Sequence, residues 1–173
     1  MLGVMTAMPE EAQALLDAVM VEGECIRHGR REFHVGTLFG RDAVLVVSRV
    51  GKVAAAATAT ELVVRFGIDT LLFTGVAGAL THELSPGDVV VADRLVQHDI
   101  DASPMWPPRV VPLIDVEAFE TDPDLTARVA AAAERFAAPR DARVRVGPIV
   151  SGDRFVKSAA DVSALRAAVP GTL

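Results

Sequence analysis

Short apolar runs and amphipathic stretches alternate along this chain. Residues 2–7 are almost wholly apolar and predict a buried strand. Pro9, Glu10 and Glu11 follow in the order that suits a first helical turn, and Ala14, Leu15, Ala18 and Val19 recur at helical spacing behind them. Residues 25–28, 31–38 and 42–48 predict three strands, with Gly29-Arg30 and Gly40-Arg41 as turns, hence an antiparallel meander. Residues 52–66 predict a helix whose apolar stripe is Val53, Ala56, Ala57, Val63 and Val64. The mostly apolar run 69–74 predicts a strand covered on both faces, and Pro86-Gly87 turns into a further strand over 88–96. Between 99 and 115 the periodicity fails, with Pro104, Pro107, Pro108 and Pro112, which marks a long functional or interface loop. Leu125, Val129, Ala132, Ala133 and Phe136 mark a helix, 143–150 a strand, and 158–169 a helix closed by Pro170-Gly171. This order of elements predicts a single α/β domain over residues 1–173, a three-layer α/β/α arrangement around a central mixed sheet.

Bulk properties narrow the class of partner. A chain of 173 residues can bury one sizeable core. The net charge is −6 and the arginines are scattered, which argues against nucleic acid and against a polybasic membrane anchor. No apolar run has the length to span a bilayer. Cys25 is the only cysteine, so no intrachain disulfide can form. The N-terminus has no basic segment ahead of its apolar run, and the expectation is a cytoplasmic protein.

Four segments carry residues suited to chemistry. Ala7-Met8-Pro9-Glu10-Glu11 sets carboxylates just past the end of the first strand, the edge at which open α/β sheets bind ligands. Acidic residues at a helix start are also ordinary dipole partners, so position alone leaves Glu11 open between the two roles. Ser48-Arg49-Val50-Gly51-Lys52 leads from a strand into a helix, with Val50 and Gly51 at the turn. Thr74-Gly75-Val76-Ala77-Gly78-Ala79 has glycines that let the backbone approach a ligand, or that merely make a tight turn. Ser151-Gly152-Asp153-Arg154-Phe155-Val156 offers an aromatic face that can stack on a purine, and Asp153 reads as a carboxylate that structures the loop. His98, Asp99 and Asp101 lack a further ligand at a recognisable spacing, so no metal is expected; His28, His34 and His82 have no evident partner. No phosphate loop of Walker type is present, and no cofactor is called for.

Taken in order, these four motifs resemble the nucleoside phosphorylase/nucleosidase superfamily, most closely the methylthioadenosine/S-adenosylhomocysteine nucleosidases, from Met1 to about Pro170. The resemblance implies a nucleoside phosphorylase-like fold and hydrolysis of an N-glycosidic bond, releasing adenine from a small-molecule nucleoside. Glu11 then stands at the general base that activates water. Met8, Val50, Val76, Ala77 and Gly78 stand at substrate-binding positions, and Phe155 with Val156 at the adenine clamp. Val76 departs from the serine often found there. The loop with Met105 and Trp106 resembles the segment that reaches a partner's active site, which implies a homodimer; a Trp106 packed on its own domain is the alternative. Arg49 and Arg154 match the kind of residue that binds phosphate in the phosphorylases. The family's ribose-binding Met-Glu pair and the aspartate that protonates the purine belong to elements after Leu173, so the resemblance implies a C-terminally incomplete domain. Another purine nucleoside phosphorylase, a futalosine or AMP nucleosidase, and a non-catalytic nucleoside-binding module remain open alternatives.

Overall fold

A computed structural model describes residues 1–19 and 23–173, and for Ala18 and Val19 the backbone alone. The described chain divides into two compact units, Met1–Ala77 and Gly78–Leu173.

The first unit holds β1 (Leu2–Thr6), α1 (Pro9–Val19), β2 (Glu24–His28), β3 (Arg31–Leu38), β4 (Arg41–Val47), α2 (Lys52–Phe66) and β5 (Thr70–Phe73). Its five-stranded sheet runs β2-β3-β4-β1-β5. β2, β3 and β4 pair antiparallel, whereas β1 pairs parallel with both β4 and β5, so the sheet is mixed. The predicted meander is present. Gly29 and Arg30 both take positive φ, as do Phe39 and Gly40, so each hairpin closes on the two-residue turn whose twist matches the strands. The second turn is therefore Phe39-Gly40, and Arg41 already belongs to β4.

Alternation along the strands builds a core on each face of this sheet. Val44 and Val46 of β4 join Met5, Phe33, Leu62 and Ile68 on the α2 side. Ala43 and Leu45 join Val4 and Leu38 on the other, with Leu15 and Leu16 of α1 packed over them. One strand buried on both faces between two helices gives the three-layer α/β/α order expected.

Two expectations about faces are corrected. In α2 the predicted stripe points to solvent: Val53 and Val64 are 79% and 80% exposed, while Ala55, Thr58, Leu62 and Phe66 meet the sheet side. Thr58 is tolerated there because its hydroxyl donates to the Ala54 carbonyl one turn back, at 2.7 Å, which consumes its polarity. Counting Thr as polar hid the true inner face. In α1 the inner face is Ala12, Leu15 and Leu16, and Ala14 is exposed; the side chains of Ala18 and Val19 lie outside the described residues. β5, expected to be covered on both sides, stands at the sheet edge with Leu71 and Phe73 exposed on one face.

The second unit holds β6 (Val89–Gln97), β7 (Ala118–Glu120), α3 (Pro123–Ala137), β8 (Val144–Ser151) and α4 (Ala159–Ala168). Its sheet runs β7-β6-β8, with β6 parallel to β8 and antiparallel to β7. β7 is too short for its alternation to register in the sequence. Asp122 caps α3 by accepting the Leu125 N–H at 2.7 Å, with Pro123 at the first helical position. Ser158 caps α4 through the Asp161 N–H at 3.1 Å. Of the predicted α3 stripe, Phe136 turns outward, with the Arg140 guanidinium over its ring at 3.8 Å. The stretch 99–115 is organised by its own polar contacts. Trp106 Nε1 donates to Asp115 at 2.7 Å, and Arg109 pairs with Glu117 at 2.8 Å.

Candidate active site

The C-terminal ends of three parallel strands set the candidate site of the first unit. The chain leaves β1 at Thr6, β4 at Val47 and β5 at Phe73, all on one edge of the first sheet. Backbone bonds stitch the exits together: Ser48 N–H donates to the Thr6 carbonyl at 2.8 Å, and Thr74 N–H to the Met5 carbonyl at 3.0 Å. Ser48, fully buried, adds a hydroxyl bond to the same Thr6 carbonyl at 3.0 Å. Ala7-Met8, 48–51 and 74–77 therefore emerge side by side, which brings Met8, Glu11, Val50, Val76 and Ala77 to one edge.

Glu11 is the fixed point of that edge. One carboxylate oxygen accepts the N–H groups of Ala7 and Met8, each at 2.9 Å. The other accepts the Val76 N–H at 2.9 Å, across 65 residues of sequence. The bond to Met8 is the helix-capping half of this arrangement, with Glu11 at the third helical position reaching back to the capping residue. The bond to Val76 is not capping, because it draws the loop after β5 onto the same carboxylate. Gly75 makes that approach possible: a Cβ there would lie 2.7 Å from a Glu11 oxygen. Glu10 is exposed, so of the two neighbouring acids only Glu11 is built in. Val50 and Val76 are exposed beside it. Arg49, at φ 74°, sends its guanidinium away to the Arg30 carbonyl.

The second unit presents the other predicted residues. Gly78 has open space where a side chain would be. His98-Asp99 and the segment 151–156 follow the C-terminal ends of the parallel strands β6 and β8. Asp99 accepts the Asp153 N–H at 2.7 Å. A Cβ at Gly152 would fall 2.5 Å from His98 Nε2 and 2.7 Å from Asp99, so the glycine of the Ser-Gly-Asp motif lets both side chains lie against the turn. The turn so fixed offers Phe155 with its ring 84% exposed, and half-buries Val156. Arg154 reaches Asp161 at 2.6 Å. The Ser158 hydroxyl bond and then the Arg154 charge hold the Asp161 carboxyl below its ordinary range. Asp101 is likewise held low by Ser103, whose N–H it accepts at 2.9 Å, so it structures its loop. Met105 is exposed, and Trp106 packs within its own loop through Asp115. A depression of about 460 Å³ lined by Ser85, Asp88, Arg140 and Arg143 opens at the opposite ends of β6 and β8. Three of its charged groups are already engaged, Asp88 with Arg143 at 2.9 Å and Arg140 over Phe136.

Sequence reading missed Ser48, Gly75, Asp99 and Gly152. Ser48 and the two glycines stand inside quoted motifs, but the roles of Ser48 and Asp99 depend on which strand ends are neighbours.

An α/β sheet with a carboxylate anchored at the ends of its parallel strands, and a separate glycine-shaped turn offering a bare aromatic ring, defines a class of small-molecule-binding α/β proteins. The family model of the phosphorylase superfamily matches residues 1–172, and the chain belongs to that family. The chain is 34% identical over 157 residues to an aminodeoxyfutalosine nucleosidase of Helicobacter pylori, covering 91% of this chain and 66% of that protein. It is 35% identical over 172 residues to a 5'-methylthioadenosine/S-adenosylhomocysteine nucleosidase of Mycobacterium tuberculosis, covering 89% and 67%. A solved structure of a Helicobacter pylori MTAN mutant with 5'-methylthioadenosine in its active site superposes with a TM-score of 0.88 at 32% identity, over 99% of this chain and 72% of that one. The chain thus spans about two thirds of the length of the curated relatives it matches.

Proposed function

We propose that the protein is an N-glycosyl hydrolase acting on 5'-methylthioadenosine and S-adenosylhomocysteine, releasing adenine. The observation that carries this reading is the Glu11 carboxylate, fixed by three backbone N–H groups at the strand ends. In the proposed reaction Glu11 takes a proton from a water as its oxygen bonds to the anomeric carbon. The bond from that carbon to the purine nitrogen breaks, and its electron pair leaves with adenine. The transition state is oxocarbenium-like, so a carboxylate beside a positioned water suits it. Adenine must gain a proton as it leaves, a role assigned to no residue among 1–173. Met8, Val50, Val76, Ala77 and Gly78 contact the nucleoside, and Phe155 with Val156 holds the base.

Water is preferred over phosphate as the nucleophile because Arg49 and Arg154 are both engaged, on Arg30 and Asp161. The exposed apolar stripe of α2, with Val53 and Val64, supports a homodimer, in which Met105 and Trp106 belong to the partner-facing loop. A cytoplasmic role in methionine salvage accompanies this reading. Among the described residues no helix is long and apolar enough to cross a membrane.

Adenine release from methylthioadenosine in phosphate-free buffer tests the proposal, with Glu11→Gln as the control. Turnover that requires phosphate would make the protein a phosphorylase. Adenine binding by calorimetry without turnover would make it a nucleoside-binding module. Aminodeoxyfutalosine is the second substrate to assay, favoured by the 34% identity to a nucleosidase of that name. The ratio of kcat/KM values decides between the two.

A further inference from the structure

The β2–β3 hairpin carries a cluster unrelated to the strand ends of the candidate active site. Cys25 of β2 and His34 of β3 are direct cross-strand partners. Glu32 lies two residues before His34, so its side chain leaves the same face of the sheet. One ligand-type atom from each of Cys25, Glu32 and His34 lies within 4.8 Å of the others. Among the described residues this is the one such trio of His, Cys and acidic groups. A second observation points the same way. His34 Nδ1 is sealed from solvent and has no hydrogen-bond partner among the described residues. A buried imidazole nitrogen left unmatched costs stability unless something else satisfies the ring.

We infer that Cys25, Glu32 and His34 form a binding site for a thiophilic divalent cation of the zinc class. A sulfur, a nitrogen and a carboxylate oxygen are the donor set that zinc accepts, with a water completing four-coordination. Tetrahedral ligands at zinc distances stand about 3.5 Å apart, so the cluster has to contract by roughly 1 Å. Cys25 and Glu32 are exposed, so solvent rather than packing surrounds that movement. Arg27 takes Oε1 of Glu32 at 2.9 Å and leaves the second carboxylate oxygen for the ion. The guanidinium also competes as a neighbouring cation, which sets the site apart from a high-affinity structural zinc. The ion clips β2, the terminal strand of its sheet, onto β3. β2 is otherwise held by backbone bonds, the half-buried Ile26, the Arg27–Glu32 pair and a 3.3 Å contact of His28 with Glu61 of α2. The histidine that reads as unpartnered in the sequence acquires its partners only through the hairpin register.

Titration of the full chain with zinc chloride alone, followed by calorimetry, tests this. One ion per chain is expected. Cys25→Ser and His34→Gln should each weaken binding by about tenfold or more. Zinc should raise the Tm of the parent and not of the doubly substituted chain. Cobalt in place of zinc should give a thiolate-to-metal charge-transfer band that Cys25→Ser abolishes. Cys25 is exposed, so that variant folds regardless. No saturable binding, or binding and a cobalt spectrum unchanged in both single variants, would overturn the assignment. His82→Gln, in the second unit, should leave binding as it is.

Discussion

Glu11 and Phe155 are opposite kinds of candidate site residue. The Glu11 carboxylate is held by three amides from two separate loops, and its neighbour at position 75 has no room for a methyl group. The Phe155 ring is held by nothing on its own unit; what is rigid is the turn beneath it, locked by Gly152 and Asp99. A group that must be aimed at a reacting atom is preorganised by the fold, because misplacement is costly to a rate. A group that must lie flat on a ligand is left bare and receives its packing only when the ligand arrives. Damage to the first should therefore appear in kcat, and damage to the second in KM.

Glu11→Gln tests the contrast most severely. It should lower kcat by about 10²–10⁴-fold, the worth of a positioned base. It also sets an amide NH2 against at least one backbone N–H, and should lower stability by about 1–3 kcal/mol. Stopped assays of adenine release and a thermal melt read the two effects; full activity with an unchanged melt would remove Glu11 from the chemistry. Next comes Gly75→Ala. Its added carbon displaces a carboxylate that cannot shift without losing the Val76 bond, so activity should fall by more than the melt predicts. The packing cost alone is about 1–3 kcal/mol. A variant with normal kcat would show that the loop relaxes freely and that the tight fit is incidental.

Phe155→Ala should leave the melt unchanged, since the ring is 84% exposed. Loss of stacking worth about 0.5–1.5 kcal/mol should raise KM by roughly 2–10-fold with kcat held. A large fall in Tm instead would place Phe155 in the packing of the protein. The smallest effect belongs to a group at the other ends of β6 and β8 from Phe155. Asp88 accepts the N–H groups of Arg143 and Ser85, each at 2.8 Å, and these backbone bonds first, then Arg143 itself, lower its pKa from 3.8. A lowered folded-state pKa stabilises fully above 3.8, and the benefit fades as pH falls through the folded value below it. Urea midpoints of Asp88→Asn should lie below the parent's at neutral pH and converge with them in that acid window. Parallel curves across it would detach Asp88 from the acid response.

The sequence made the elements legible to within a residue or two at most ends, and α2 matched at Lys52–Phe66. What it hid was orientation. The valines of α2, Val53, Val63 and Val64, drew the predicted stripe to the solvent face, whereas the inner face of Ala55, Thr58, Leu62 and Phe66 is interrupted by Thr58, which spends its hydroxyl on its own helix. At the site, Glu11, Val76 and Phe155 stood in readable motifs. Ser48 opened such a motif and Asp99 was read beside His98, but neither showed its positioning role, because that role lies in which strand end is adjacent, and adjacency is settled by sheet order rather than by spacing along the chain.

β4 has a position whose consequence concerns time. It is antiparallel to β3 on one side and parallel to β1 on the other. The meander side closes through two-residue turns, whereas the parallel side must wait for distant chain, and loop closure over longer stretches is slower. The Glu11–Val76 bond spans 65 residues and needs β1, α1 and the loop after β5 all in place. It is expected to close late, so the carboxylate proposed as the base should reach its place only near the end of folding. The same order run backwards makes the Val76 amide an early reporter of opening. It should exchange its hydrogen sooner than the amides of β3 and β4, and the proposed activity should be lost before the sheet comes apart.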